Sequence, residues 1–363
     1  MTPEPRADGP TTESVTHETL AQLPALAHQL RDHLRGVQQL VILTHANPDA
    51  DAVASALGMA GISARLGVEP RVVGAGDGML PANLTFISGS ERIRHVDASA
   101  IPDADLLLLV DCSDPQRLGP LYHEMADELE RHLRIVNIDH HVTNTRFGSY
   151  NIVIPEAAAT SEIVAGIYQS LAVEMDVAEA TTLLAGIYGD TLGLRTPSTT
   201  PATLRSAATL LEIGADLDTI VDQLFRLKPY SSVCLWAEAL RRTQWQGALI
   251  WTQIDGAMLE RTGADRSEAE GLVNFLAGTI GARASALLYL ESWGWRVSMR
   301  TLANDVNVAE ILRQFNGGGH PRAAGARLAP GDAARDDFLA RVARLLEPGS
   351  GQLGAGDGRG ATD

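Results

Sequence analysis

In the N-terminal two thirds of the chain, short unbroken runs of apolar residues alternate with longer stretches in which apolar residues recur every three or four positions. The unbroken runs predict buried strands, and the longer stretches predict amphipathic helices. Strands are predicted at 40–44, 71–73, 106–110 and 134–138. Helices are predicted at 16–34, 51–66, 120–132, 160–173, 177–192 and 201–213, the last capped by Thr200 and ended by Gly214. This alternation favours an α/β fold with a mostly parallel sheet and helices on both of its faces.

A second pattern follows after about residue 240. It predicts strands at 248–254, 284–291 and 295–301 and helices at 265–280, 306–315 and 332–346. Asp265 and Glu268 match a capping box at the start of the first of these helices. We therefore predict a second, smaller α/β domain.

The predicted domain boundaries follow from these patterns and from composition. Residues 16–215 form the larger domain, 216–240 the linker and 241–347 the smaller domain. Residues 1–15 are polar and 348–363 are rich in glycine, which predicts disordered tails.

Composition limits the class of protein. At 363 residues the chain is long enough for two domains with their own cores. No apolar run approaches the roughly 18 residues of a membrane span, and the start lacks the pattern of a secretion signal. The only cysteines, Cys112 and Cys234, suit a reducing compartment. We therefore predict a cytoplasmic protein without a membrane partner.

Charge points away from long nucleic acids. The net charge of −16 opposes non-specific binding of a long duplex, and the sequence shows no basic stripe with interleaved aromatic residues. Between Arg283 and Arg327, however, six arginines stand against three acidic residues. This local excess of positive charge predicts a pocket for a small anion.

Acidic and histidine residues gather where the predicted strands of the larger domain end, with one further aspartate near the end of a helix. They are His45, Asp49, Asp51, Asp111, His140 and Asp190. Any one of them could instead be a helix cap or a solvated loop residue, but the six together favour a pair of divalent metal ions. Carboxylate and imidazole ligands without thiolate suit Mn²⁺, with Mg²⁺ or Co²⁺ as alternatives. Asp111 is our choice for the carboxylate that bridges the two ions.

The motifs that carry these residues resemble those of a known family. His45-x-x-x-Asp49-x-Asp51, Val110-Asp111, Asp139-His140-His141 and Gly189-Asp190-Thr191, in this order, are similar to the four motifs of the DHH phosphoesterase superfamily. The downstream segment Phe315-Asn316-Gly317-Gly318-Gly319-His320 resembles the DHH-associated C-terminal domain. Ala50 and Asn316 depart from the pattern of many relatives, which have glycine at both positions.

The resemblance implies roles for the catalytic residues. His45, Asp49 and Asp111 would hold one Mn²⁺ ion, and Asp51, Asp111, His140 and Asp190 would hold the other. His141 would contact the scissile phosphate, and Asp139 would orient a neighbouring imidazole.

The resemblance also implies an active site in the cleft between the two domains and a substrate-binding set. Ser55 would touch substrate beside the metal centre. In the smaller domain, Arg300 and His320 would bind an anion, and Gly317, Gly318 and Gly319 would let the backbone approach a phosphate or a base.

The activity implied by the resemblance is a manganese-dependent phosphodiesterase that hydrolyses short nucleotides to mononucleotides. Cyclic di-AMP, pApA and nanoRNA are the expected substrates, with pAp dephosphorylation as a further activity and a homodimer as the expected assembly. An inorganic pyrophosphatase or polyphosphatase and a non-catalytic cyclic-dinucleotide sensor remain as alternatives. The Gly317–His320 segment argues against the first, because pyrophosphate offers no base to recognise, and the intact ligand set argues against the second.

Overall fold

The computed structural model describes residues 18–75, 80–96, 98–101, 103–125 and 134–347. The predicted tails, 1–15 and 348–363, lie outside these residues. Contacts divide the chain into two compact units, Met1–Leu227 and Lys228–Asp363. We describe each unit by itself.

The first unit is built on a six-stranded, entirely parallel sheet with the strand order β3-β2-β1-β4-β5-β6. The strands are β1 Leu40–Thr44, β2 Pro70–Ala75, β3 Ile93–His95, β4 Leu106–Val110, β5 Ile135–Asp139 and β6 Tyr150–Val153. The α/β class and the parallel sheet are thus confirmed. The short outer strands β3 and β6 were not predicted, because runs of three or four residues carry little periodicity.

Helices accompany this sheet. They are α1 Leu23–Leu34, α2 Ala50–Arg65, α3 Pro120–Glu124, α4 Thr160–Ser170, α5 Val177–Asp190, α6 Pro201–Ile213 and α7 Leu217–Val221. Thr200 caps α6 and Gly214 ends it in a left-handed conformation, as predicted. The predicted helix at 16–34 begins later, at Leu23, after a 3₁₀ turn. Of the predicted helix at 120–132, residues 126–132 lie outside the described part of the chain.

The packing of α2, α4 and α5 in the core of the first unit depends on one glycine, Gly186. Every residue of β1 and β4 is buried, and α2 is buried along most of its length because α4 and α5 pack against it. A Cβ atom at Gly186 would lie 2.1 Å from Ser161 Oγ and 2.9 Å from Ala54 Cβ. Glycine is therefore needed where α5 crosses α2 and α4.

The second unit contains a mixed sheet of six strands in the order β11-β12-β10-β9-β8-β7, in which only β8 and β9 are parallel. The strands are β7 Gln244–Gln246, β8 Leu249–Ile254, β9 Ala284–Glu291, β10 Gly294–Arg300, β11 Gly318–His320 and β12 Ala323–Leu328. The helices are α8 Tyr230–Arg241, α9 Gly256–Thr262, α10 Leu272–Ala277, α11 Val308–Arg313 and α12 Asp332–Leu345. A second, smaller α/β unit is therefore present, although β7, β11, β12 and α9 were not predicted.

Two predictions in this region need correction. The predicted linker, 216–240, contains α7, a π-helical turn at Asp222–Arg226 and most of α8, and the division between the two units falls inside it. The predicted helix at 265–280 is split at Gly271, whose φ of +88° separates a 3₁₀ turn from α10. The capping box of Asp265 and Glu268 is confirmed, but it caps this 3₁₀ turn. None of the helices in the described residues is long and apolar enough to cross a bilayer.

We predict that Gly186→Ala lowers the free energy of unfolding by about 1–3 kcal/mol, the usual cost of overpacking a close helix contact. Gly256→Ala is the matched control, because a Cβ atom there would meet nothing within 4 Å. Denaturant unfolding of both variants measures the difference. Equal stability of the two variants would contradict the packing role of Gly186.

Candidate metal centre

The predicted ligands meet at the carboxyl ends of three adjacent strands. His45 directly follows β1, Asp111 directly follows β4, and His140 directly follows β5. The strand order reverses between β1 and β4, and in open α/β sheets ligands bind at such a switch point.

The six residues form groups that could hold a divalent cation. His45, Asp49 and Asp111 make one group, in which one ligand atom from each residue lies within 4.8 Å of the others. Asp51, His140 and Asp190 make a second group by the same criterion. Asp111 also lies within this distance of His140 and His141. The structure thus brings together all six residues chosen from the sequence.

Asp111 lies between the two imidazoles. Its Oδ2 is 3.5 Å from His45 Nε2, and its Oδ1 is 3.8 Å from His140 Nε2. Its Oδ1 also lies 3.7 Å from His141 Nδ1. The two oxygens of one carboxylate therefore face different histidines, and a carboxylate in this position could serve two metal ions.

The state of His45 fits a metal ligand. Its side chain is buried, and its Nε2 has no hydrogen-bond partner among the described residues. Burial lowers the pKa of His45 to about 4, so the imidazole is neutral near pH 7. A buried, neutral nitrogen with no partner is costly unless a cation occupies the site.

The tautomer of His140 is fixed from outside the cluster. Its Nδ1 lies 3.3 Å from the carbonyl oxygen of Ala157, to which it donates. Its Nε2 faces Asp190 Oδ2 at 3.5 Å. Such a carbonyl behind a ligand histidine both orients the ring and makes it more basic.

Burial raises the pKa of two of the aspartates, Asp111 and Asp51, and so favours their protonated form. Burial, followed by the charges of Asp51 and Asp49, raises the pKa of Asp111 well above its ordinary value. The pKa of Asp51 is raised mainly by burial as well. Asp111 also has a left-handed backbone, with φ of +54°, which is uncommon for a residue other than glycine and marks strain at a functional position.

One short segment, 157–161, positions three of the ligands. The backbone N–H groups of Thr160 and Ser161 donate to the two oxygens of Asp51 at 2.7 and 2.8 Å. The Thr160 hydroxyl donates to Asp111 Oδ1 at 3.0 Å, and Ala157 supplies the carbonyl behind His140. Sequence analysis missed this segment, although its hydroxyl residues stand at the start of a helix just after a strand, where the other clusters also lie.

Ser55 is fully buried, which differs from the expectation of a substrate contact. Its hydroxyl lies 3.4 Å from Asp51 Oδ1 and 3.2 Å from Ser161 Oγ. These contacts favour a role in positioning Asp51.

A second network surrounds His141. Its Nδ1 donates to Asp139 Oδ1 at 2.7 Å, and Asn144 donates to Asp139 Oδ2 at 2.6 Å. Burial raises the pKa of Asp139, but the hydrogen bond and charge of His141 outweigh burial and leave the pKa below its ordinary value. This hydrogen bond fixes the orientation of the His141 ring.

Arg117 was also missed by sequence analysis. Its Nη1 lies 3.4 Å from both His141 Nε2 and the carbonyl oxygen of Asp111. It places a permanent positive charge beside the cluster.

In the second unit, Arg300 and His320 share one face of the sheet. Both pair with Ala323, from β10 and from β11 respectively, so their side chains leave the sheet on the same side.

Of the three neighbouring glycines, two are required by the chain itself. A Cβ atom at Gly317 would lie 2.4 Å from the carbonyl oxygen of Gly325, and one at Gly319 would lie 2.5 Å from that of Ala323. Only at Gly318 would a Cβ atom meet nothing within 4 Å. The expected close approach of a ligand therefore remains open for Gly318 alone.

We predict that Thr160→Val weakens Mn²⁺ binding by about 10–100-fold, because the hydroxyl that orients Asp111 is lost at constant volume. Thr252→Val is the matched control: its buried hydroxyl donates to Ala239 in the second unit. Titration calorimetry on metal-free protein measures the affinity. Equal Mn²⁺ affinities in the two variants would refute the role of Thr160.

The metal-free protein should lose stability as the pH rises above about 6.5. Burial and the charges of Asp51 and Asp49 raise the pKa of Asp190 to about 7 from 3.8. Asp190 stays protonated to a higher pH in the folded state than in the unfolded state. Its contribution to the free energy of unfolding is therefore fully present below pH 3.8 and is lost as the pH rises through 7. His45 has the opposite sign, since its pKa falls from 6.5 to about 4, but its contribution is constant above pH 6.5.

Unfolding midpoints measured with a chelator between about pH 6.5 and 8 test this prediction. Asp190→Asn should flatten the fall. Excess Mn²⁺ should reverse it, because metal affinity grows as the carboxylate loses its proton. A midpoint that rises with pH in the chelated wild-type protein would contradict the assignment.

Comparison with known proteins agrees with this geometry. Residues 39–187 match the DHH family, N-terminal domain, and residues 250–347 match the DHHA1 domain. The chain is 32% identical over 292 residues to the bifunctional oligoribonuclease and PAP phosphatase NrnA of Thermus thermophilus, covering 80% of this chain and 84% of that protein. It is 28% identical over 342 residues to the cyclic-di-AMP phosphodiesterase GdpP of Geobacillus thermodenitrificans, covering 88% of this chain and 49% of that protein.

A solved structure has the same fold. The exopolyphosphatase-related protein of Bacteroides fragilis superposes with a TM-score of 0.81 at 22% identity, over 89% of this chain and 97% of that protein. The domain matches, the relative at 32% identity and the clustered ligands together show that this chain belongs to the DHH phosphoesterase family.

Proposed function

We propose that this protein is a manganese-dependent phosphodiesterase that hydrolyses short nucleotides to mononucleotides. The observation that carries the proposal is the position of Asp111, whose two carboxylate oxygens face His45 and His140 separately. The two groups of ligands around Asp111 would hold a pair of divalent ions, which would supply an activated water molecule and stabilise charge on the phosphoryl oxygens.

The donor set supports Mn²⁺. Each of the two groups combines two carboxylates with one imidazole, and neither contains a thiolate. Cys112 follows Asp111 in sequence, but its side chain is buried in the apolar core. Carboxylate ligands suit both Mn²⁺ and Mg²⁺, and the imidazole in each group favours Mn²⁺ over Mg²⁺. Co²⁺ can also bind such ligands.

Other residues of the cluster would act on the substrate directly. His141 is held by Asp139, and its Nε2 side lies beside the guanidinium of Arg117. An imidazole and a guanidinium at this place would bind the oxygens of the scissile phosphate and stabilise their charge in the transition state. In the second unit, Arg300, Gly318 and His320 are the proposed binding residues for a terminal phosphate or base.

NanoRNA, pApA, cyclic di-AMP and pAp are the proposed substrates. The names of the relatives support this range, since one is an oligoribonuclease and PAP phosphatase and another a cyclic-di-AMP phosphodiesterase. The net charge of −16 supports short substrates over long duplexes.

A side-by-side assay tests the function. With Mn²⁺, purified protein should release AMP from pApA and cyclic di-AMP, mononucleotides from a five-nucleotide RNA and phosphate from pAp. Phosphate release from pyrophosphate alone would support a pyrophosphatase instead, and tight binding of cyclic di-AMP without turnover would support a sensor.

Asp111→Asn tests the bridging carboxylate in the same assay. We predict that it lowers kcat by at least about 1,000-fold, since the negative charge between His45 and His140 is lost. Asp32→Asn is the control, because Asp32 is an exposed aspartate of α1. Turnover of the Asp111 variant at the rate of the control would refute the assignment.

A further inference from the structure

One face of the sheet in the second unit is open and basic over the strands β10, β12 and β11. The opposite face carries Trp295, Val297 and Met299 of β10, which are buried in the core beneath α11 and α12. Because successive residues of a strand point to opposite sides, the alternate residues of β10 lie on the open face. With their neighbours on β12 and β11, the polar side chains of this face are those of Arg296, Ser298, Arg300, His320 and Arg327.

Two arginines stand directly opposite each other on this face. Arg296 of β10 pairs with Arg327 of β12, and both side chains are exposed. In the described part of the chain neither guanidinium lies within 4 Å of a carboxylate. Like charges at directly opposed positions destabilise a sheet. In a protein of net charge −16, an unneutralised pair of this kind marks a site for an anion.

The remaining arginines of the same segment are placed differently. Arg283 binds Asp305 at 2.8 Å, and Arg322 donates to Asn304 at 2.6 Å. Arg313 lies on α11, which packs against the opposite face of the sheet. The excess of positive charge between residues 283 and 327 therefore forms two separate positions on the open face. One is Arg300 with His320, and the other is Arg296 with Arg327.

An aromatic ring lies beside each arginine of the second position, Arg296 and Arg327. The Arg296 guanidinium lies 5.9 Å from the centre of the Tyr289 ring, and that of Arg327 lies 5.1 Å from the Trp293 ring. Trp293 is 43% exposed, so part of its surface is available to a base. A basic pair beside an exposed aromatic ring suits a single-stranded nucleotide chain, in which phosphates alternate with stacking bases.

The spacing of the two positions sets a length. Arg296 and Arg300 are four residues apart on one strand, which corresponds to about 13 Å at roughly 3.3 Å per residue. Stacked nucleotides advance by about 3.4 Å each, so this spacing matches about four nucleotides, and fewer if the chain is extended. A mononucleotide or a dinucleotide held at Arg300 does not reach Arg296.

We propose that Arg296 and Arg327 form a distal phosphate-binding position that makes this protein prefer oligoribonucleotides of about three to five residues over pAp and dinucleotides. The inference rests on the proposed function, since it takes Arg300 and His320 as the first anion position. It names, within that function, the substrate class and two residues that select it.

Kinetics on substrates of different length test the proposal. The double variant Arg296→Gln/Arg327→Gln should raise KM for a five-nucleotide RNA by on the order of tenfold or more, because charge-assisted hydrogen bonds to phosphate are lost. KM for pAp and pApA should stay within about twofold of wild type, a difference too small to reflect a lost contact. Arg313→Gln removes one charge from the opposite layer and should leave all three substrates unchanged. Equal losses on RNA and pAp, or no loss on RNA, would overturn the proposal.

Direct binding separates this inference from the proposed activity. In the Asp111→Asn background, fluorescence anisotropy of a labelled five-nucleotide RNA measures affinity without turnover. The double variant should lower the slope of log affinity against log salt by about 1.4, the value for two lost contacts to a single strand. If the wild-type protein hydrolyses none of the substrates but this slope still falls, the distal position stands and the proposed activity fails. An unchanged slope would refute the distal position whatever the activity.

Discussion

The burial of charge at the carboxyl ends of β1, β4 and β5 is the constraint on which the first unit depends. Asp51 and Asp111 are only 1% and 2% exposed, and each lies close to another acid. Removing such carboxylates from water costs several kcal/mol each unless hydrogen bonds or cations compensate. Part of the compensation comes from the chain: backbone N–H groups on Asp51 and the Thr160 hydroxyl on Asp111. The Nε2 atom of His45 has no hydrogen-bond partner among the described residues, and it faces Asp111 Oδ2. A cation bound here would supply the compensation that the chain itself does not.

This compensation ties helix packing to the chemistry. The N-terminal turn of α4 must lie against Asp51, and it can do so only if α5 leaves room for Ser161. Gly186 supplies that room, since a Cβ atom at this position would overlap the Ser161 hydroxyl. The close crossing of α2, α4 and α5 is thus part of the ligand geometry, because an error in the crossing moves the donors of Asp51 directly.

The sequence was sufficient to predict which acids and histidines cluster, but not the groups that position them. Parallel strands end at one edge of a sheet, so Asp111 and His140 were expected to meet from their place after apolar runs alone. Thr160 and Arg117 act through contacts with residues distant in sequence, and such contacts have no local pattern. The strands β3, β7 and β11 were missed for a different reason. They have three residues each, which is too short for a period to show. Within the predicted linker, Pro229 stands at the N-cap of α8, where the fixed φ of proline is tolerated.

The second unit shows why composition alone could not locate its anion site. An excess of arginine between residues 283 and 327 is visible in the sequence, but which arginines share a face depends on the register of β10 with β12. The strand β12 was not predicted, so Arg327 had no partner to be matched with. Once the register is known, alternation divides β10 strictly: Val297 and Met299 belong to the core, while Arg296, Ser298 and Arg300 face outwards. On the side of the sheet that carries these arginines, α8, α9 and α10 pack on Ile254, Leu287 and Tyr289 of β8 and β9. The strands β12 and β11 are left uncovered on this side. Stability and recognition are therefore carried by alternate residues of the same strand, and a shift of one position in its register would lose both.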